Sequence, residues 1–188
     1  MTIAYDALIQ RRSASAKHLV APGPETSVLH RILFAASRAP DHGRLHPFRF
    51  VIIRPESRVR FADVLAEAAR QDRPDLPETE IGRAREKAHQ GPCLIGLIAR
   101  IDTAHPKIPA SDQWLTVGCA LENLLLATAA EGFAAAVRSG RSLEAPAIRE
   151  AFALGPNEHF TCFIALGTPS EWPPAKPKPD VAELTSQW

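Results

Sequence analysis

The sequence lacks an excess of charge of either sign and an uninterrupted apolar run long enough to cross a membrane. Its 22 lysines and arginines nearly balance its 21 aspartates and glutamates, so no global field attracts nucleic acid or an anionic membrane. The most apolar window, residues 114 to 137, is broken by Glu122, Asn123, Glu131 and Gly132, which predicts a buried helix and strand and not a membrane span. We therefore expect small molecules or a second copy of the chain as partners.

Cysteine is scarce, and the three cysteines show no paired spacing. Cys93, Cys119 and Cys162 lie inside apolar segments, and no CxxC motif is present. An odd number of such thiols argues against disulfides or a zinc site and favours a reducing compartment. The first residues also place their charges after the apolar ones, which is the wrong order for a secretory signal. We therefore expect a cytoplasmic protein.

The usual signatures of catalysis by the chain's own side chains are also missing. The sequence contains no GxSxG, HExxH, GxGxxG or P-loop motif. Glu122 or Glu131 could act as an acid or a base, although a single buried carboxylate is more often a structural hydrogen-bond partner. This pattern favours a bound cofactor that supplies the chemistry.

The stretch RAPDHGRLHPF at residues 38–48 suggests a metal site, because it places two histidines beside an aspartate. His42 and His46 would share a face on a helix, but Pro40, Gly43 and Pro47 oppose helix formation there. A zinc site would also need further ligands, which no other motif supplies. The stretch is more simply interpreted as a connection between a helix and a strand.

Two Arg-Ser segments have residues suited to anion binding. Arg11-Arg12-Ser13 follows the first predicted helix, where forked guanidinium donors can bind a phosphate, although positive charge also suits a helix C-terminus. The segment from Arg138 to Ser142 follows a predicted strand, and it fits either an anion-binding loop or an ordinary turn. Together with Lys176 and Lys178 in the tail, these segments favour a phosphate-bearing ligand.

The order of predicted elements indicates a single α+β domain over residues 1–188. Helices are expected at residues 2–11, 26–38, from 57 onward, 78–90, 111–131 and near 144–153, and strands at 48–54, 93–101, 134–137 and 159–166. Ser111 or Asp112 is expected to cap the longest helix. Two helices precede the first strand and two follow it, which disfavours a doubly wound sheet. Residues 168–188 are rich in proline and are expected to form an extended C-terminal arm.

The motifs and their order resemble the FMN-dependent nitroreductase family over most of the chain. The motifs are Arg-Arg-Ser after the first helix, Ser37-Arg38-Ala39-Pro40 after the second, the loop from His42 to Pro47-Phe48-Arg49-Phe50, Gly118 and Asn123 to Ala127 in the long helix, Glu131-Gly132-Phe133, and Leu166-Gly167-Thr168-Pro169. APDH in the loop, RSG after the third strand and GTP before the tail are most similar to short YdjA-type NAD(P)H nitroreductases.

The resemblance implies a nitroreductase-like α+β fold, with a central, mainly antiparallel sheet flanked by helices. It also implies a homodimer that exchanges its C-terminal arms and holds two FMN sites in the subunit interface. The implied FMN-binding residues are Arg11, Arg12 and Ser13 at the phosphate and ribityl chain, Arg38 and His42 at the flavin, Val137, Arg138 and Ser139 at the isoalloxazine and ribityl side, and Lys176 or Lys178 as a further phosphate contact. Arg38 would come from the other subunit.

A further segment resembles one implicated in nicotinamide nucleotide binding. It comprises Ala127, Thr128, Ala129, Ala130, Glu131 and Gly132. Phe48 and Val137 depart from the family pattern, where tryptophan and a large aromatic residue are common, so the flavin pocket is expected to be more open.

The resemblance also implies an activity, in two half-reactions at one site. NAD(P)H would give hydride to flavin N5, and an electron-poor acceptor such as a nitroaromatic or a quinone would then take its place. A flavin-binding or sequestering protein without turnover, and a metal-dependent hydrolase using the histidine loop, stay open as alternatives.

Overall fold

A computed structural model describes residues 3–174 and 177–188. Its helices are α1 (Ile3–Gln10), α2 (Thr26–Ala36), α3 (Arg58–Asp72), α4 (Glu78–Glu86), α5 (Ala110–Ala130) and α6 (Pro146–Ala151). Its strands are β1 (Leu19–Val20), β2 (Phe48–Ile53), β3 (Cys93–Arg100), β4 (Ala134–Arg138) and β5 (Glu158–Pro169). The elements that the sequence predicts are therefore present with small differences at their ends.

One antiparallel sheet organises the fold. Its longest strand, β5, pairs with β3 through residues 158–166, with β4 through 163–167 and with β1 at 168–169. Because β3 and β4 share partners on β5, they lie on opposite sides of it, and β2 then pairs with β3. Each of these pairs is antiparallel, which confirms the expected α+β class.

The two faces of the sheet bury separate hydrophobic clusters, because successive residues of a strand point to opposite sides. The first cluster joins the sheet to α3 and α6 and includes Phe61, Leu65, Leu94, Ile98, Ile148, Phe160 and Phe163. The second joins it to α2 and α5 and includes Leu29, Ile32, Ile95, Leu97, Val117, Leu124, Cys162 and Ile164. Thr161 is skipped in the register between β3 and β5, and this bulge allows Phe160 and Phe163 to share a face.

The predicted cap of the longest helix is wrong. Pro109 occupies the N-cap position of α5, without a side-chain hydrogen bond, and Ser111 and Asp112 lie inside the first turn. Proline fits a helix start because its fixed φ suits the position and its missing N–H would be unpaired there. Asp112 is thereby free to contact a residue outside the helix.

The sequence also misses one strand. β1 contains just two residues, Leu19 and Val20, and it is too short to show a pattern of its own. It pairs with Thr168 and Pro169, which extend β5 beyond the predicted end at residue 166. The end of β5 and the start of the tail are thus fixed against the segment that follows α1.

The tail beyond β5 has little regular structure among its described residues. A short 3-10 turn occurs at Val181–Glu183, and Leu184 and Trp188 are exposed. Exchange of this arm within a homodimer involves a second chain and stays a prediction. In the described residues, no helix is both long and apolar enough to cross a membrane. The cytoplasmic location also stays a prediction.

Candidate functional site

The predicted phosphate-binding segment and the tail line one cleft. The cleft has a volume of about 900 Å³, and its lining includes Arg11, Arg12 and Ser13 after α1 and Pro173, Pro174, Pro177 and Lys178 in the tail. The fold therefore brings Lys178 and the Arg-Arg-Ser segment together across more than 160 residues of sequence. Lys176, the other lysine predicted to contact the phosphate, lies outside the described residues.

Backbone hydrogen bonds hold this segment between α1 and the sheet. The N–H of Arg11 donates to the carbonyl of Ala7 at 3.1 Å and extends the last turn of α1. The N–H of Ala14 donates to the carbonyl of Ala135 in β4 at 3.0 Å, and the Ala14 side chain is buried. Ala14 thus anchors the segment in the core, and the polar side chains that precede it line the cleft.

The Arg11 side chain is oriented by α5. Its Nε donates to Oε1 of Glu122 at 3.0 Å, and its Nη1 lies 3.5 Å from Oγ of Ser13. A guanidinium has five N–H donors, so this ion pair leaves donors for a ligand. Glu122 therefore has a structural role at this site, which is one of the two interpretations that the sequence leaves open.

Arg12 contacts the first residues of the tail. Its guanidinium carbon lies over the ring of Trp172, 4.8 Å from the centroid. Within residues 3–174 and 177–188, Arg12 pairs with no carboxylate. Trp172 is not among the predicted site residues, and its one sequence signal is an aromatic residue at the start of a polar, proline-rich tail.

The residues predicted at the end of β4 are partly buried. Nη2 of Arg138 donates to Oε1 of Gln90 at 2.7 Å, whereas its Nε is buried and has no hydrogen-bond partner in the described part of the chain. Val137 packs against the cluster of α2 and α5, and Ser139 is exposed in the following loop. A buried N–H without a partner is costly, so a ligand that accepted a hydrogen bond from this Nε would remove that cost.

His42 lies away from the cleft, and Arg38 lines a different groove. Arg38 is exposed and lines a groove of about 570 Å³ bounded by α1, α2 and α5. Nδ1 of His42 lies 2.9 Å from Oδ2 of Asp112 in the first turn of α5. Glu122, which holds Arg11, is ten residues further along the same helix, or roughly 15 Å at the α-helical rise. One chain therefore does not bring His42 to the Arg-Arg-Ser segment.

The segment predicted for nicotinamide binding forms the end of α5, and its side chains differ in exposure. Thr128 is buried and its Oγ1 donates to the carbonyl of Leu124 at 2.8 Å, so it faces the core. Ala129, Ala130 and Gly132 are exposed, whereas Ala127 is partly buried. These exposed small residues border a groove of about 400 Å³ that Trp172 also lines.

Glu131, in the same segment, is held by α2. Its two carboxylate oxygens accept hydrogen bonds from Nε and Nη2 of Arg31 at 2.8 and 2.6 Å. These hydrogen bonds lower the pKa of Glu131 below its ordinary value. The pair keeps Glu131 ionised and favours the structural interpretation over acid or base catalysis.

The histidine loop and Cys162 have contacts that indicate structural roles. Oδ2 of Asp41 accepts a hydrogen bond from the backbone N–H of His46 at 2.7 Å, which fixes the turn. No three histidine, cysteine, aspartate or glutamate residues come together as a possible metal site in the described ranges. Burial raises the pKa of the Cys162 thiol to about 12, so this thiol is a poor nucleophile.

The residues of the cleft fit a phosphate-bearing cofactor. Arg12 and Lys178 supply positive charge, Arg11 supplies donors that Glu122 does not use, and Ser13 supplies a hydroxyl group. Forked guanidinium donors match phosphate oxygens, and a flexible ammonium adds a point charge. The donor set is therefore compatible with the phosphate of FMN, and the assignment of these residues to it stays a prediction.

Comparisons with known proteins agree with this fold. The model of the family described as Nitroreductase family matches residues 8–168. The chain is 38% identical over 157 residues to a Haemophilus influenzae protein named "Putative NAD(P)H nitroreductase", with 84% of each chain covered. It is 37% identical over 166 residues to "Putative NAD(P)H nitroreductase YdjA" of Escherichia coli, with 88% of each chain covered.

Solved structures confirm the nitroreductase-like fold. A nitroreductase-like family protein from Bacillus cereus superposes with a TM-score of 0.84 at 17% identity, covering 100% of this chain and 97% of that one. A Desulfovibrio desulfuricans protein described as "a putative nitroreductase in complex with fmn" gives a TM-score of 0.74 at 24% identity, covering 100% of this chain and 98% of that one. With the family match over residues 8–168 and the relatives above 35% identity, these findings show that the chain belongs to the Nitroreductase family.

Proposed function

We propose that this chain is an FMN-dependent oxidoreductase in which bound flavin accepts hydride at N5 from NAD(P)H and passes it to an electron-poor acceptor such as a nitroaromatic or a quinone. The observation that supports the proposal is the cleft where Arg11, Arg12, Ser13 and Lys178 come together in a member of the Nitroreductase family. The names of the relatives add NAD(P)H, and the complex of the Desulfovibrio desulfuricans protein adds FMN.

The residues of the cleft have distinct tasks in this proposal. Arg12 and Lys178 neutralise the phosphate, and Arg11 donates hydrogen bonds from a direction that Glu122 fixes. At the end of β4, Arg138 offers a buried Nε that lacks a partner in the described residues. A site with its donors already oriented loses less conformational entropy when the cofactor binds.

The separation of the predicted residues supports a site made by two chains. His42 contacts Asp112 at the start of α5, whereas Arg11 contacts Glu122 in its second half. We propose that in a homodimer Arg38 and His42 of a second copy contact the flavin beside the Arg-Arg-Ser segment. Exposed apolar side chains on α1, α2 and α5, namely Leu8, Ile9, Phe34 and Leu115, give the chain a surface for such an association.

The surroundings of the flavin are proposed to serve both half-reactions. Small exposed residues at the end of α5, Ala129, Ala130 and Gly132, leave room for NAD(P)H and then for the acceptor. Their side chains supply no acid or base, and Glu131 beside them is occupied by Arg31. The chain thus binds and orients its ligands and does not provide a nucleophile.

The visible spectrum of the purified protein tests this proposal. We expect a yellow protein that bleaches anaerobically with NADH or NADPH and regains its colour when a nitroaromatic or a quinone is added. A colourless protein that does not bind added FMN would refute the proposal. The alternative is a flavin-binding protein without turnover. It would be indicated by a yellow protein that fails to oxidise NAD(P)H with any nitroaromatic or quinone tested as acceptor.

A further inference from the structure

A contact between Arg12 and Trp172 joins the cationic cleft to the start of the tail. The guanidinium carbon lies 4.8 Å from the centroid of the indole ring. Trp172 precedes Pro173 and Pro174, which line the cleft together with Arg12 and Lys178. Trp172 is itself 41% exposed, so it is not part of the buried core. Trp172 and Arg12 both line the groove at the end of α5, so the contact lies where that groove meets the cleft and not inside the packed core.

The position of the ring leaves Arg12 able to bind an anion. A guanidinium held over an aromatic ring by charge attraction needs no conventional acceptor for that contact, so its five N–H donors can still bind an anion. In the described ranges no carboxylate neutralises Arg12, whereas Arg11 is paired with Glu122. Trp172 thus limits the orientations of Arg12 as Glu122 limits those of Arg11, but it does so without removing positive charge from the cleft.

We propose that Trp172 is a positioning residue for the cofactor phosphate, whose indole holds the Arg12 guanidinium at the cleft with its donors available to the anion. The inference rests on the proposed function, because it places the phosphate of FMN in this cleft. It implies that the tail contributes an aromatic side chain as well as a lysine. It also implies that Trp172 acts through Arg12 and affects ligands that bear a phosphate.

Binding of FMN and of riboflavin, which lacks the phosphate, tests this role in flavin-free protein. Affinity is measured by flavin fluorescence for the wild type, Trp172→Leu, Trp172→Phe, Arg12→Ala and the double variant Arg12→Ala with Trp172→Leu. Leucine keeps an apolar side chain without a ring, and phenylalanine keeps a ring with a weaker attraction for cations.

We expect Trp172→Leu to weaken FMN binding by about two- to fivefold, the effect of an exposed cation–π contact. Trp172→Leu should leave the affinity for riboflavin unchanged. The FMN affinity of Trp172→Phe should lie between those of the wild type and Trp172→Leu. The double variant should bind FMN as Arg12→Ala alone does, because Trp172 acts through Arg12. Because Trp172 is partly exposed, these variants should fold, and circular dichroism of each protein checks this.

Three results would overturn the inference. One is equal FMN affinity in the wild type and Trp172→Leu, and another is an equal loss for FMN and riboflavin. The third is a loss of FMN affinity from Arg12→Ala to the double variant that equals the loss from the wild type to Trp172→Leu. Trp172 would then act through packing and not through Arg12. A wild-type protein that binds neither flavin would instead overturn the proposed function, so the two failures are distinguishable.

Discussion

Arg49 and Glu158 form a bidentate ion pair that spans three strands of the sheet. Nε and Nη2 of Arg49, in β2, donate to Oε1 and Oε2 of Glu158, in β5, at 2.7 and 2.9 Å. Arg100, in the intervening strand β3, also donates from Nε to Oε1 of Glu158 at 2.9 Å. The Glu158 side chain is just 16% exposed, so this carboxylate links three strands in a partly desolvated setting.

The ion pair should make stability depend on pH in the acid range. The hydrogen bond from Arg49 is the main cause that lowers the pKa of Glu158 to about 2, from an ordinary value of 4.5. A lowered carboxyl pKa contributes stability that is fully present above the unfolded value and is lost as the pH falls through the folded value. We therefore expect the free energy of unfolding to fall between pH 4.5 and 2. Urea denaturation across this range measures the fall.

Glu158→Gln should reduce that dependence, because the variant cannot ionise there. At neutral pH we expect a loss of about 1.5 to 3 kcal/mol, the range for charge-assisted hydrogen bonds. Glu56→Gln is the control, because Glu56 is exposed and lies 3.9 Å from its partner Arg54. If Glu158→Gln kept the wild-type pH slope, the ion pair would not be the origin of the acid sensitivity.

Arg58 should be a stabilising residue of the loop that enters β3. Its side chain is buried, and its Nη1 and Nη2 donate to the carbonyls of Ala88, Gly91 and Pro92 at 2.9, 3.2 and 3.2 Å. Arg58→Met removes these donors and should cost about 2 kcal/mol or more in chemical denaturation. Arg60→Met, at an exposed position two residues later, is the matched control. A more stable Arg58→Met would mean that desolvation of the charge outweighs the hydrogen bonds.

Gly96 makes room for an aromatic ring in the core. A Cβ at this position would lie 2.8 Å from Cζ of Phe160, which is closer than real contacts of this kind. Gly96→Ala should therefore destabilise the protein by about 1–3 kcal/mol, the usual cost of overpacking. Gly82→Ala is the control, since its added Cβ would meet nothing within 4 Å beyond its chain neighbours and its own helix backbone, and alanine favours helix. If the two variants changed the melting temperature equally, the close approach of Phe160 to Gly96 would not be the cause of the loss.

The main elements are predictable because their apolar residues repeat at the spacing of their secondary structure. Leu29 and Ile32 on α2 and the continuous apolar run of β3 show such patterns, and both elements occur where the sequence predicts them. β1 could not be predicted, because its two residues become a strand through pairing with Thr168 and Pro169. The start of α5 could not be predicted either, because Pro109 competes there with better side-chain caps.

The candidate site shows the same division. Residue type and local order point to the Arg-Arg-Ser segment and to the tail lysines, since these signals are local in the sequence. The partners of the two arginines are remote, because Glu122 is 111 residues from Arg11 and Trp172 lies beyond the last strand. Such contacts depend on how α5 and the tail pack against the segment after α1, which no local pattern records.

The phosphate role of Arg11 is open to a direct test. Arg11→Ala should weaken FMN binding by roughly 1.5–3 kcal/mol, the usual contribution of a charge-assisted hydrogen bond. Equilibrium dialysis of the flavin-free protein with FMN gives the affinity. The control is Arg83→Ala, because Arg83 is an exposed residue of α4 that pairs with Glu80 and does not line the cleft. Unchanged FMN affinity in Arg11→Ala would refute the phosphate role.

Mixed dimers of the Arg11→Ala and Arg38→Ala variants should contain intact FMN sites, because the two arginines of one site are proposed to come from different chains. If each flavin lies between two subunits, Arg11→Ala and Arg38→Ala each damage both sites of their own homodimer. A mixed dimer then has one site with both changes and one site with neither. Because the two sites of a symmetric dimer are equivalent, random mixing should restore about a quarter of all sites to wild-type affinity.

Refolding an equal mixture of the two variants and titrating it with FMN measures this recovery. The control mixture combines Arg11→Ala with Arg12→Ala, whose residues lie in the same segment and line the same cleft. In that mixture every site contains one change, so no intact site can form. Recovery in the first mixture and not in the second would assign Arg38 to the partner of the chain that supplies Arg11. No recovery in either mixture, with mixed dimers present, would place both arginines in one chain's site and refute the shared site.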